Sequence, residues 1–83
     1  MTEEPTDRPD LPTEVRWLHK DGMSLIRAWR EHLGVSQEEL GKRLHSSAAA
    51  VAQLEAKHAH PRAAMLKKVA AALELANWET LRE

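Results

Sequence analysis

Eighty-three residues suffice for one domain with a modest core. With no Cys, disulfides and thiolate metal sites are excluded, and no stretch approaches the ~18 apolar residues of a membrane span. Net charge is −1 but uneven: residues 1–14 set five acids against Arg8, residues 15–73 carry ten Lys or Arg against five acids, and residues 74–83 are acidic again.

A basic middle between acidic ends suits an anionic partner, and equally a solvated mixed-charge surface. Phe and Tyr are absent and Ala and Leu are frequent, which favours short packed helices over strands. The first residues lack the basic-then-apolar order of a secretory signal, so a cytoplasmic protein is expected.

In chain order, residues 1–10 read as a disordered acidic tail, with Pro5, Pro9 and no apolar periodicity. Residues 11–83 form the domain. Thr13 is the expected N-cap of a first helix in which Leu11, Val15 and Leu18 share a face beside Trp17, closed by Asp21-Gly22. Ser24 caps a second helix over residues 25–33, with Ile26, Trp29 and Leu33 on one stripe and Arg27, Arg30 and Glu31 outside it. Gly34 ends it, and Val35 is expected to plug the core.

Residues 36–54 organise the rest. Ser36-Gln37-Glu38-Glu39 has the Ser-x-x-Glu form of a capping box, in which cap and Glu exchange backbone hydrogen bonds. Leu40 and Leu44 follow on one face. His45-Ser46-Ser47 breaks the run, and Ser47 caps a second short helix with Val51 and Leu54 facing inward. Helix, three-residue turn and helix make a helix-turn-helix pattern. Helices this short need a surrounding bundle. After a polar loop over residues 57–60, Pro61 is placed at N1 of a longer helix with Ala63, Leu66, Val69, Ala70 and Leu73 on its stripe. Asn77 caps a last turn over residues 78–81. The expected fold is all-α, five helices and a terminal turn.

With these residues placed, the chain resembles the Cro/repressor-type helix-turn-helix family of small DNA-binding proteins, an XRE-like, lambda-repressor-like bundle. The likeness rests on Ile26-Arg27-Ala28-Trp29-Arg30-Glu31, Leu33-Gly34-Val35-Ser36-Gln37-Glu38-Glu39-Leu40, Val51-Ala52-Gln53-Leu54-Glu55, Pro61 and the stripe ending at Leu73, about two-thirds of the chain. Leu11-Pro12-Thr13-Glu14-Val15 and Arg27-Ala28-Trp29-Arg30-Glu31-His32 further resemble antitoxins encoded beside RelE-like toxins. The resemblance implies double-stranded DNA as partner, a homodimer, and a RelE-like toxin as a second partner. It also implies that Gln37 meets a phosphate, that Gln53 faces the major groove, and that Arg30 and Glu55 form a structural ion pair. Ser46, Ser47, Ala48 and Ala49 then fall at the groove-facing start of the second motif helix, and Lys42, Arg43 and Lys57 bracket the motif as phosphate contacts.

The sequence departs from that family pattern at three places. Ala48, Ala49 and Ala50 occupy positions that usually carry polar side chains, so direct base readout is left to Ser46, Ser47 and Gln53. His45 stands where Gly is common, and Gly41 where Ala is common. A protein-interaction module on the same fold is therefore the alternative function. His58, His60 and His45 read as solvated rather than metal-binding, since no carboxylate or thiolate completes a site. No cofactor is expected, and no nucleophile–base constellation points to an enzyme. Trp17 and Trp29 read as core, and Trp78, with Leu75 and Leu81, as either a lid on the core or a dimer seam.

Overall fold

Serine and asparagine side chains start four of the helical segments. Ser24, Ser36 and Ser47 accept the backbone N–H groups of Arg27, Glu39 and Ala50 at 3.3, 3.0 and 3.1 Å, and Asn77 Oδ1 accepts that of Glu79 at 3.0 Å. The computed structural model describes residues 10–83. It contains α1 (Thr13–Lys20), α2 (Leu25–His32), α3 (Gln37–Arg43), α4 (Ala48–Leu54), α5 (Ala63–Ala72) and a terminal 3₁₀ turn (Trp78–Leu81). No strand occurs among the described residues. The tail expected over residues 1–10 lies outside them apart from Asp10, an exposed turn residue.

Three helix starts differ in detail from expectation. Pro12, not Thr13, is the cap of α1, because its carbonyl already accepts Arg16 N at 3.0 Å; Thr13 sits inside and accepts Arg16 Nη2 at 3.1 Å. Pro61 lies one residue ahead of the α5 cap rather than at N1. The chain stays extended through Arg62 (ψ 161°), whose carbonyl accepts Met65 N and Leu66 N and opens the helix there. The capping box is half made. Ser36 caps α3, while the Glu39 carboxylate takes Arg43 Nε at 3.2 Å.

One device ends four of the five helices. At α1, α2, α3 and α5 the residue after the C-cap has positive φ, and paired backbone bonds tie it and its successor to carbonyls of the last turn. Gly22 and Gly34 fill that position without strain, but His45 (φ 56°) and Glu74 (φ 59°) fill it in α3 and α5. The residue that follows folds inward at three of them: Met23, Val35 and Leu75 all pack against the core.

α1 packs on α2, α3 on α4, and α5 on the terminal turn. Their shared centre is Val15, Leu25, Ile26, Leu40, Val51, Val69 and Leu81, all below 2% or at 2% exposure. Leu11 closes the core at one end. Trp29 is buried as expected, but Trp17, expected in the core, is half-buried outside it under Lys20 Nζ at 4.9 Å, and Trp78 packs against the core with Lys67 Nζ 5.3 Å from its ring centre. Trp78 therefore covers part of the core while staying half-exposed. Leu33, expected on the α2 stripe, is 42% exposed. It is the C-cap of α2, and the reversal at Gly34 turns Val35 inward in its place.

Candidate nucleic-acid interface

The motif is set by how closely α3 and α4 approach. Gly41 makes this possible: a Cβ built there would lie 2.7 Å from the Ser47 carbonyl carbon. Only a residue without a side chain lets the α4 cap lie against α3.

Behind the motif lies a buried polar clamp. Arg30, expected on the outer side of α2, is 8% exposed, and Glu55, just past α4, is 7% exposed. Arg30 Nε and Nη2 donate to the two Glu55 oxygens at 2.5 and 3.2 Å, and Nη1 donates to the Val35 carbonyl at 2.8 Å. Gln37 Nε2 adds a third donor to Glu55 at 2.9 Å. One carboxylate therefore fixes α2, the α2–α3 link, the start of α3 and the end of α4. The buried ion pair matches expectation.

Held this way, α4 turns Ala49, Ala52 and Gln53 to solvent, with Ser46 and Ser47 exposed before it and Lys57 after it. Ala48 and Ala50 are half-buried on its two flanks. The Ser47 hydroxyl accepts from Ala50 N as a cap and keeps its own O–H as a donor, so Ser46, Ser47 and Gln53 carry the side-chain hydrogen-bonding capacity of this face.

A cleft runs along each flank of α4. The first, of about 300 Å³, is walled by Ala52, Ala56 and Lys57 on one side and by Gly22, Arg27 and Gln37 on the other. Nearer the start of α4, a further cleft is lined by Ala48, Arg27, Gln37 and Glu38. On the opposite flank, a groove of about 540 Å³ has an apolar floor including Val51, Leu54 and Met65, with His45, Gln53, His60 and Lys68 around it.

The sequence-predicted residues separate by what they already bind. Lys42 and Lys57 are exposed, with no ion pair among the described residues. Arg43 is engaged within the fold: Nε donates to the Glu39 carboxylate, and Nη1 donates to the Ala72 carbonyl at 3.0 Å, tying α3 to the end of α5. Gln37 is half-buried and turned toward Glu55, which uses one of its two amide donors. Arg27, absent from the expected interface, lines two of the clefts. Its Nε–Glu31 hydrogen bond of 2.6 Å, and then the Glu31 charge, raise the guanidinium above its ordinary pKa. Its i,i+4 pairing with Glu31 was visible in the sequence, whereas its place beside α4 depends on the tertiary fold.

Two short helices locked by a tight turn, the second with its outer face open and cations on its flanks, define a helix-turn-helix DNA-binding protein of the transcription-regulator class. The helix-turn-helix family model matches residues 26–76, and the chain belongs to that family, the Cro/repressor-type or XRE-like group. Comparison with curated proteins gave no significant match, and comparison with solved structures gave none either. No helix of the described residues is long and apolar enough to cross a membrane.

Proposed function

We propose that the protein is a cytoplasmic repressor that binds operator DNA as a homodimer, and that it regulates the operon of a RelE-like toxin as its antitoxin. It acts by binding, without catalysis. The observation that carries the DNA reading is the exposed outer face of α4, held by the Arg30–Glu55–Gln37 clamp and bordered by clefts on both flanks. Lys42 and Lys57 anchor phosphates, and Gln53 contributes base contact, adenine being its natural bidentate partner. A two-fold axis pairs two half-sites.

Support for the antitoxin role comes from the segments 11–15 and 27–32. In the fold, Leu11, Val15 and Trp29 are core residues and Arg30 belongs to the clamp. Those segments therefore speak for kinship of fold, and toxin contact is assigned to the acidic residues ahead of α1, whose charge complements the basic face expected of an RNA-acting toxin. A second reading, a protein-interaction module, is favoured by the alanines at 49 and 52, which offer no donor or acceptor to bases. Fluorescence anisotropy against the protein's own promoter and against a mixed-sequence duplex separates the two. The repressor reading requires tighter binding to the promoter, and absence of binding to either duplex at low salt overturns it in favour of the interaction module. Removing residues 1–10 tests the partner: affinity for the neighbouring gene product falls while promoter affinity holds.

A further inference from the structure

The groove between α4 and α5 has a floor and a rim of different chemistry. Val51 and Leu54 on α4, Leu44 at the end of α3 and Met65 on α5 form the floor, and all but Val51 are only half-buried. Ala50 and Ala59 also line it, and their methyl groups leave open a space that larger side chains would fill. Met65 and Lys68 lie three residues apart on α5 and so share a helix face. The volume of about 540 Å³ falls within the roughly 300–1,000 Å³ of small-molecule sites.

Around this floor stand His45, His60 and Lys68, with Ser46 and Gln53. None of these side chains makes a hydrogen bond or an ion pair among the described residues. No acid lines this groove, whereas Glu83 lines a groove beside Trp78, and Glu38 and Glu55 line the clefts toward α2. The rim therefore suits an anion and the floor an apolar body. A bare inorganic anion would gain only the rim, and a hydrocarbon only the floor. A molecule carrying both groups uses both.

We propose that this groove binds a small organic carboxylate with an apolar body, and that an occupied groove weakens DNA binding. Lys68 supplies a point charge with three N–H donors, and each imidazole supplies at least one N–H in either protonation state. The unbranched thioether chain of Met65 adapts to the shape of the apolar body. The regulatory half rests on the DNA reading above. The groove shares Ser46 and Gln53 with the face that α4 presents to bases, so a ligand there takes up space and donors that a duplex would use.

The test is a titration followed by amide proton–nitrogen NMR, with sodium octanoate, sodium hexanoate and octan-1-ol as probes and Lys68→Gln beside the unmodified protein. Octanoate is expected to shift the signals of Ser46, Ala50, Gln53 and Ala59 and to leave those of α1 in place. For a probe of this size a Kd of about 1 mM is expected. Hexanoate, shorter by two methylenes, should bind roughly tenfold more weakly. Octan-1-ol should also bind about tenfold more weakly than octanoate, and Lys68→Gln should bring octanoate down to about that level without affecting the alcohol. Lys68 is exposed, and an unchanged melting curve excludes unfolding as the cause. Anisotropy of a mixed-sequence duplex at about 50 mM salt reads the regulatory half. Octanoate at about five times its Kd should weaken duplex binding about fivefold, with acetate at the same concentration as the salt control. If octanoate shifts no groove signal, or if octan-1-ol or Lys68→Gln matches it, the carboxylate site is wrong. If octanoate binds but duplex affinity is unchanged, the regulatory half is wrong and the DNA reading stands. If no duplex is bound even without octanoate, the DNA reading and the regulatory half fall together, and the NMR titration alone decides the site.

Discussion

At the scale of single residues, Glu55 and the positive-φ positions decide most. Glu55 accepts from Arg30 and Gln37 at 7% exposure. Glu55→Ala strands a buried guanidinium, a loss of about 3–5 kcal/mol. A domain of this size has a stability of only about 5 kcal/mol, so thermal melting should show the variant's midpoint brought down toward ambient temperature. Replacing Arg30 and Glu55 together by Met and Leu should be far milder than Glu55→Ala alone, because no unpaired charge remains. His45 and Glu74 hold left-handed backbone at φ 56° and 59°. Gly relieves that strain but gives back some chain entropy, so His45→Gly and Glu74→Gly should each stabilise by roughly 0.5–1 kcal/mol. A rise of a few degrees in melting temperature checks this. His45 was suspect from its place in the turn. Glu74 was not, because nothing in Leu73-Glu74-Leu75 distinguishes a helix end from its continuation, and only the packing of Leu75 on the core makes the chain turn there.

At the scale of elements, the motif depends on a contact with no room to give. Gly41→Ala would gain about 1 kcal/mol of helix propensity, yet the new Cβ would sit 2.7 Å from backbone of Ser47. Backbone cannot rotate aside as a side chain can. A net loss of about 1–3 kcal/mol is expected, with α4 displaced and DNA affinity falling more than stability alone explains. Denaturant unfolding and anisotropy on the same variant check both parts. On α4, Gln53→Ala should narrow the difference between promoter and mixed-sequence duplex, whereas Lys42→Ala should weaken both alike. Arg43 behaves differently from Lys42, although the two are adjacent. Its guanidinium is occupied by Glu39 and the Ala72 carbonyl, so Arg43→Ala should lower melting temperature as well as binding.

At the scale of the whole molecule, charge distribution governs association. The net charge of −1 conceals a face on which Lys57 and Lys68 carry no ion pair among the described residues. With a face of alanines toward the bases, affinity should come chiefly from phosphates. Four to six neutralised per protomer give a log–log salt slope of about −4 to −5 per protomer. Binding that barely changes between 50 and 200 mM salt would contradict a phosphate-dominated interface. The core makes a matching statement about stability. Trp78 and Leu81 pack against α5 and the remainder of the core, so the terminal turn is part of the fold rather than an appendage to it.

The sequence by itself determined the helices, their order and the capping serines, because these follow from periodicity and from side chains that act on backbone within three residues. It also determined that α3 and α4 form the motif, and that Arg30 pairs with Glu55, through likeness to a family in which both are fixed. What it could not determine is where side chains far apart in the chain come to rest. Leu33 is left exposed by the reversal at Gly34, Arg43 reaches the end of α5, Gln37 turns to Glu55, and Arg27 arrives beside α4. Each outcome is a competition between neighbours brought together by the fold. Local pattern carries no record of who those neighbours are, and only the packed structure decides which partner each charge and each apolar side chain obtains.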